Sequence, residues 1–379
     1  MSIKADEYRH RLEGLQARMT ARALDALVVY SWKRGQVRYV SGYTPNYVAN
    51  VAAVVITADA EPVMYIRFPF DLERARRMCW FDKVAASGDV SGIGRDVARA
   101  LSEQGLRDGG RVGLVTGDSV IDELPYTLYQ QLQAGLPGAK FVDARDLAMD
   151  MRRIKSPAEF AQLRRSAQVA DAAVEAARQV MQPRTNDFAV VAAAEGEARR
   201  HGATAWLPAI AARASEALIG PPDHNDLPDA DMTIFEFAVE VDGYWTQVAR
   251  TFAPGPPTDA QKAIYRAVYQ AYQAEVDACR PGAAFGELAL AAERALEAAG
   301  LGEHSEQDYG PGIGLDLPEP PRIGINDAEV VERGMVIVLH PAVRAPGVGG
   351  AFLGGTVLVH EDGAEAIHAI PPELPAVST

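Results

Sequence analysis

The chain has 379 residues, of which 48% are hydrophobic, with a formal net charge of -14 and two cysteines. That length and apolar content suffice for two sizeable cores, and the acidic balance, with no basic stripe, excludes nucleic-acid and anionic-membrane partners. Cys79 and Cys279 stand alone, so neither a disulfide framework nor a thiolate metal site is implied; with a polar, charged opening and no long apolar run, the expected location is cytoplasmic.

In chain order, Tyr8, Leu12, Leu15 and Met19 recur at three- and four-residue spacing and predict an amphipathic helix over 5–23. A short buried strand follows at Ala26–Ser31, and a strand with a turn is expected at Val37–Tyr43. Strands at 51–57 and 62–66, helices at 71–79, 90–104 and 124–136, and strands at 111–115 and 141–142 then alternate. This pattern predicts a small α/β domain over residues 1–150. Met149–Ile154 bridges to a second, α+β domain over residues 151–379.

Ser156-Pro157 supplies an N-cap and a proline at the first helical position. Two alanine-rich helices follow, at 157–181 and 187–201, in which alanine serves close helix packing. Two further helices are expected at 259–279, capped by Thr258, and 285–299. The tail after Ile370 is Pro-rich and expected to fray.

Between the helix pairs lies IFEFAVEVDGYWTQVARTF, residues 234–252, with Asp242-Gly243 at its centre. Both turn residues can take positive φ, so the stretch predicts a type I′ β-hairpin. With a period of two, Glu236, Ala238 and Glu240 share one face of the first strand; Trp245, Gln247 and Ala249 share one face of the second. Glu236 stands between two phenylalanines. It is either a solvated glutamate on an edge strand or a carboxylate at the floor of a site.

Gly243-Tyr244 and Arg250-Thr251-Phe252 resemble the hairpin of the pita-bread family of creatinase, prolidase, aminopeptidase P and methionine aminopeptidase. YGPGIGLDLPEPP (309–321), GMVIVLHP (334–341) and FLGGTVLVHEDG (352–363) are similar to three later motifs of that family, in the same order. The resemblance implies a C-terminal pita-bread domain behind a smaller creatinase-like N-terminal domain. It also places the family's five metal ligands on Glu236, Gln247, Pro311, His340 and Gly354, all changed, with Pro318 at a further histidine of the pattern. A pair of divalent cations needs several carboxylates, so no metal and no other cofactor is expected.

Creatinase, a metal-free member, implies hydrolysis of a C–N bond in a small polar molecule. Its own catalytic histidine lies on the loop into the hairpin, where His224 is the nearest histidine here. The expected mechanism is acid–base: His340, with Glu236 on a neighbouring strand, moves the proton, with His224 as the second candidate base. Gln247 orients substrate, Arg250 holds a substrate carboxylate or forms a structural ion pair, and Tyr244 and Trp245 border the pocket or pack the hairpin. The resemblance further implies a homodimer in which Asn50, Tyr47 and Arg67 reach the partner's pocket.

The expected function is a metal-independent hydrolase of a small amide, amidine or guanidine. A catalytically inactive binding or scaffold protein is the alternative, and an Xaa-Pro metallopeptidase the third reading.

Overall fold

The computed structural model describes residues 3–31, 35–45, 51–89, 91–115, 124–306 and 309–376. They fall into two compact units, one of residues 1–152 with 315–318, the other of 153–314 with 319–379.

The first unit contains α1 (Ala5–Ala21), β1 (Ala26–Ser31), α2 (Gly35–Ser41), β2 (Ala52–Thr57), β3 (Val63–Ile66), α3 (Leu72–Met78), β4 (Val84–Ala86), α4 (Ile93–Glu103), β5 (Arg111–Val115), α5 (Tyr126–Gly135), β6 (Lys140–Asp143) and α6 (Arg145–Arg153). Its six-stranded sheet has the order β4-β3-β2-β1-β5-β6. One expectation is corrected: Val37–Ser41 is helical, because Val37 and Val40 lie one turn apart and both are buried. The segment 149–154 is largely the end of α6, which buries Leu147, Ala148, Met149 and Arg152.

The second unit opens with α7 (Pro157–Val180), whose Ser156 and Glu159 form the reciprocal capping box that satisfies two end amides. It continues through α8 (Asp187–Arg200), β7 (Ala203–Ala211), β8 (Thr233–Val241), β9 (Tyr244–Phe252), α9 (Asp259–Ala278), α10 (Phe285–Ala298), β10 (Ser305–Glu306), β11 (Pro311–Gly312), β12 (Glu319–Arg322), β13 (Val336–Leu339), β14 (Ala342–Ala345), β15 (Gly349–Phe352), β16 (Gly354–Val359) and β17 (Ala364–Ala366). A large sheet runs β12-β11-β13-β16-β9-β8-β7, with β17 on β16.

The hairpin forms as its sequence dictates: Asp242 and Gly243 have φ of 49° and 84° and join β8 to β9. β8 is not an edge, since β7 pairs with its far side. The edge solution for Glu236 therefore fails, and its side chain is buried at 8% exposure.

One face of the hairpin carries Phe235, Phe237, Val239 and Val248 against α7 and α8, whose small Ala170, Ala173 and Ala194 allow close approach. Each of the two phenylalanines is wholly buried, worth roughly 1.5–3 kcal/mol. The opposite face is left for Glu236 and Gln247. The C-terminal tail is not frayed as far as residue 376: the Ala253 N–H donates to the Pro375 carbonyl and the Tyr265 hydroxyl to that of Pro371.

Candidate functional site

Paired residues of adjacent strands share a face, and the ladder fixes one row across the large sheet. Glu236 pairs with Ala249, Ala249 with Gly354, and Leu339 with Gly355, which brings His340 alongside Gly354. The row therefore reads Glu236, Ala249, Gly354, His340, with a carboxylate at one end, an imidazole at the other and no long side chain between. Glu236 and His340 are not on neighbouring strands. Three ladder spacings separate them, about 14 Å between Cα atoms, which corrects the expectation of a contiguous pair.

Gln247 lies two residues before Ala249 on the same face, and its amide Nε2–H donates to Glu236 Oε1. The backbone of Gln247 is held in turn by Thr356: its N–H donates to the hydroxyl at 3.0 Å and the hydroxyl donates to its carbonyl at 3.2 Å. At the other end, the His340 ring meets Phe352 edge-on, with centroids 4.8 Å apart, and is 3% exposed. Thr356 and Phe352 were missed by sequence reasoning, since neither departs from an ordinary strand residue.

The remaining expected site residues are dispersed. Tyr244 and Arg250 have the opposite parity and point beneath the sheet. The Tyr244 hydroxyl donates to Glu159 of α7 at 3.1 Å. The Arg250 guanidinium donates to the carbonyls of Ala249, Gly354 and Ala369 at 2.8, 2.9 and 2.8 Å. It therefore lies under the sheet, away from the face that carries Glu236 and Gln247, with Asp171 3.8 Å from its Nη2.

Trp245 is on the site face, half-buried, with its backbone N–H on the Gly314 carbonyl. His224 is an exposed loop residue with φ of 56°. Its ring lies 4.5 Å from that of Phe188 on α8, and Asp187 at the start of α8 accepts the N–H groups of Asp223 and Asn225. This loop belongs to the helix side of the sheet. Asn50 and Tyr47 lie outside the described residues. Arg67 follows β3 in the first unit, its N–H on the Val51 carbonyl.

The five ligand positions of the resemblance do not fit a metal pair. Gln247 offers only a neutral amide oxygen where the pattern has a carboxylate, and the side chain of Pro311 has no donor atom. At Gly354 a Cβ would stand 2.0 Å from the Leu339 carbonyl oxygen and 2.5 Å from the His340 Cβ. No side chain can be placed there without moving the strand. Among the described residues no group of three or more His, Cys, Asp or Glu is arranged to hold a metal ion, and no helix is long and apolar enough to cross a membrane.

Comparison with known proteins places these observations. The chain matches metallopeptidase family M24 over residues 161–361, more than half its length, and the creatinase/prolidase N-terminal domain over residues 11–154. It is 29% identical to the Xaa-Pro dipeptidase of Pyrococcus horikoshii over 254 residues, covering 66% of this chain and 72% of that one. To the Xaa-Pro dipeptidase of Lactobacillus delbrueckii it is 24% identical over 357 residues, 93% and 95% of the two chains. The solved Xaa-Pro dipeptidase of Bacillus anthracis superposes with a TM-score of 0.84 at 24% identity, covering 97% of this chain and 99% of that one. The expected architecture, a creatinase-like N-terminal domain and a pita-bread domain, is the one these matches share. The expected chemistry is overturned: the relatives are named for cleaving peptides, not for metal-free hydrolysis of a small amide, amidine or guanidine.

Proposed function

Since the chain belongs to metallopeptidase family M24, we propose that its substrate is a short peptide of the Xaa-Pro dipeptide class and that it hydrolyses the peptide bond. The observation that carries this reading is the family match over residues 161–361, the segment that contains the whole row from Glu236 to His340, together with relatives named Xaa-Pro dipeptidase. In this reading the carboxylate of Glu236 and the amide oxygen of Gln247 are acceptors for the substrate's ammonium group. Ala249 and Gly354 leave the floor clear for its backbone. Water adds to the peptide carbonyl carbon as the C–N bond breaks, and His340 relays that water's proton to the leaving nitrogen or donates a hydrogen bond to the far end of the peptide; Trp245 borders the site. The protein works as a cytoplasmic homodimer.

One observation favours a second reading. Gly354 and Pro311 cannot supply the metal ligands of the family pattern, which supports a member that binds the same peptide without cleaving it. Incubation with Ala-Pro and with Ala-Ala, with and without millimolar manganese, separates the two: release of free proline supports hydrolysis, and saturable binding without release supports the second reading. The absence of both binding and release would remove the peptide assignment.

A further inference from the structure

Beneath the row, on the helix side of the sheet, the buried side chains of Arg250 and His368 meet the half-exposed Asp171. Arg250 Nη1 donates to two carbonyls at once, those of Ala249 and Gly354, which are cross-strand partners in the β9–β16 ladder. Nη2 donates to Ala369 and lies 3.8 Å from Asp171 Oδ1 on α7. That same oxygen accepts from His368 Nδ1 at 2.8 Å. The His368 side chain lies against the strand: a Cβ at Gly355 would meet its Cδ2 at 2.7 Å.

We infer that His368 is a positioning residue for this site, acting through Asp171 and Arg250 to fix the backbone of Ala249 and Gly354, the two residues lying between Glu236 and His340. The inference rests on the reading that this face of the sheet is the ligand site.

Three features carry it. First, the guanidinium is a planar fork of donors, so turning it by a few tenths of an ångström moves both carbonyls and the floor they belong to. Second, the guanidinium, oriented by its three carbonyls, has Asp171 as a charge partner at 3.8 Å, and Asp171 is in turn held by His368: the three side chains come from α7, β9 and the segment after β17, and the network exists only when all three elements are docked. Third, His368 keeps its Nε2 buried with no hydrogen-bond partner. An orphaned buried nitrogen costs stability, so packing alone selects against histidine here, whereas a ring that must donate from Nδ1 and stay thin enough to lie under Gly355 requires it. A cavity of about 350 Å³ opens beside the network, lined by Asp171, Arg250, Arg178 and Pro371 among others, which leaves Asp171 room to swing away once its histidine is lost.

The test compares His368→Leu, His368→Gln and Asp171→Asn in the full chain, with two readouts: the backbone amide resonances of Gln247, Ala249 and Gly354, and the affinity for Ala-Pro. The expected result is that His368→Leu and Asp171→Asn shift those resonances and weaken the peptide roughly 2- to 30-fold. His368→Gln, which can still donate to Asp171, restores most of both. A His368→Leu protein that melts lower but keeps its amide resonances and its affinity overturns the inference, as does a His368→Gln protein indistinguishable from the leucine variant. If His368→Leu does not fold, Asp171→Asn decides by the same criteria. If the wild-type chain does not bind Ala-Pro, the proposed function fails, and the amide resonances alone decide the positioning role.

Discussion

The amide of Gln247 is hydrogen-bonded to the carboxylate of Glu236 across the β8–β9 ladder, so two positions that the family pattern gives to metal ligands hold one another here. A buried carboxylate that loses its donor bears the cost of its own desolvation. Gln247→Leu should therefore destabilise the chain by about 1–3 kcal/mol. In the Glu236→Gln background the same change should cost clearly less. Denaturant unfolding of the four proteins gives the coupling, and additive effects would mean that the bond contributes nothing.

Gly354 is the position that most resists restoration. Its Cβ direction points at the Leu339 carbonyl and the His340 backbone, so Gly354→Ala should cost about 1–3 kcal/mol by overpacking, and Gly354→Glu more. Thermal melts with and without manganese check the corollary: Gly354→Glu should melt lower than wild type and gain nothing from the ion.

The hairpin and α7 were legible in the sequence because their determinants are local: Asp242-Gly243 between alternating strands, and Ser156-Pro157 with Glu159 one turn on. β7 was not, because its alanines and Pro208 carry no strand signal and its partner β8 is more than twenty residues away. α2 was misread because seven residues fit two periods equally well. The site row could be read only through the resemblance, since Glu236, Ala249, Gly354 and His340 meet through three ladders. His368 was invisible, because its partners at 171 and 250 are set by tertiary docking. The substrate class was misread for a different reason: the changed ligand positions were taken to change the chemistry, while the relatives that match most of the chain are peptidases.

Glu275 on α9 is wholly buried, and neither carboxylate oxygen has a hydrogen-bond partner. Burial first, then the neighbouring Glu293, pushes its pKa well above the ordinary 4.5. The groups around it are Tyr272 on α9, Cys279 just beyond its end, Glu293 on α10, and Tyr309, whose hydroxyl donates to Glu293 at 2.8 Å. With the folded value raised, the folded chain binds the extra proton above pH 4.5, so stability falls as pH rises through that window. Glu275→Leu should remove this slope and be more stable than wild type at neutral pH. Urea unfolding from pH 4 to 8 checks it, and parallel curves for the two proteins would contradict it.

His368 has the opposite sign. Burial lowers its pKa, the hydrogen bond to Asp171 opposes this, and Arg250 lowers it further; Tyr265 and Tyr272 on α9 interact with the same Arg250, and Tyr272 also with Asp171. The unfolded chain takes up the proton first, so the stability this neutral imidazole contributes is present above about pH 6.5 and is lost as pH falls below it. His368→Gln should flatten that part of the profile, as measured by melting temperature between pH 5 and 7.5.

The peptide assignment is tested most directly by one proton NMR experiment, in which the purified full-length chain is mixed with Ala-Pro, followed by saturation transfer and then over time for free proline. Transfer to the dipeptide that is lost in Glu236→Gln, with proline appearing in the wild-type sample, is the predicted result. An Ala-Pro spectrum unchanged by the protein in both respects, at millimolar peptide and with manganese present, would contradict it.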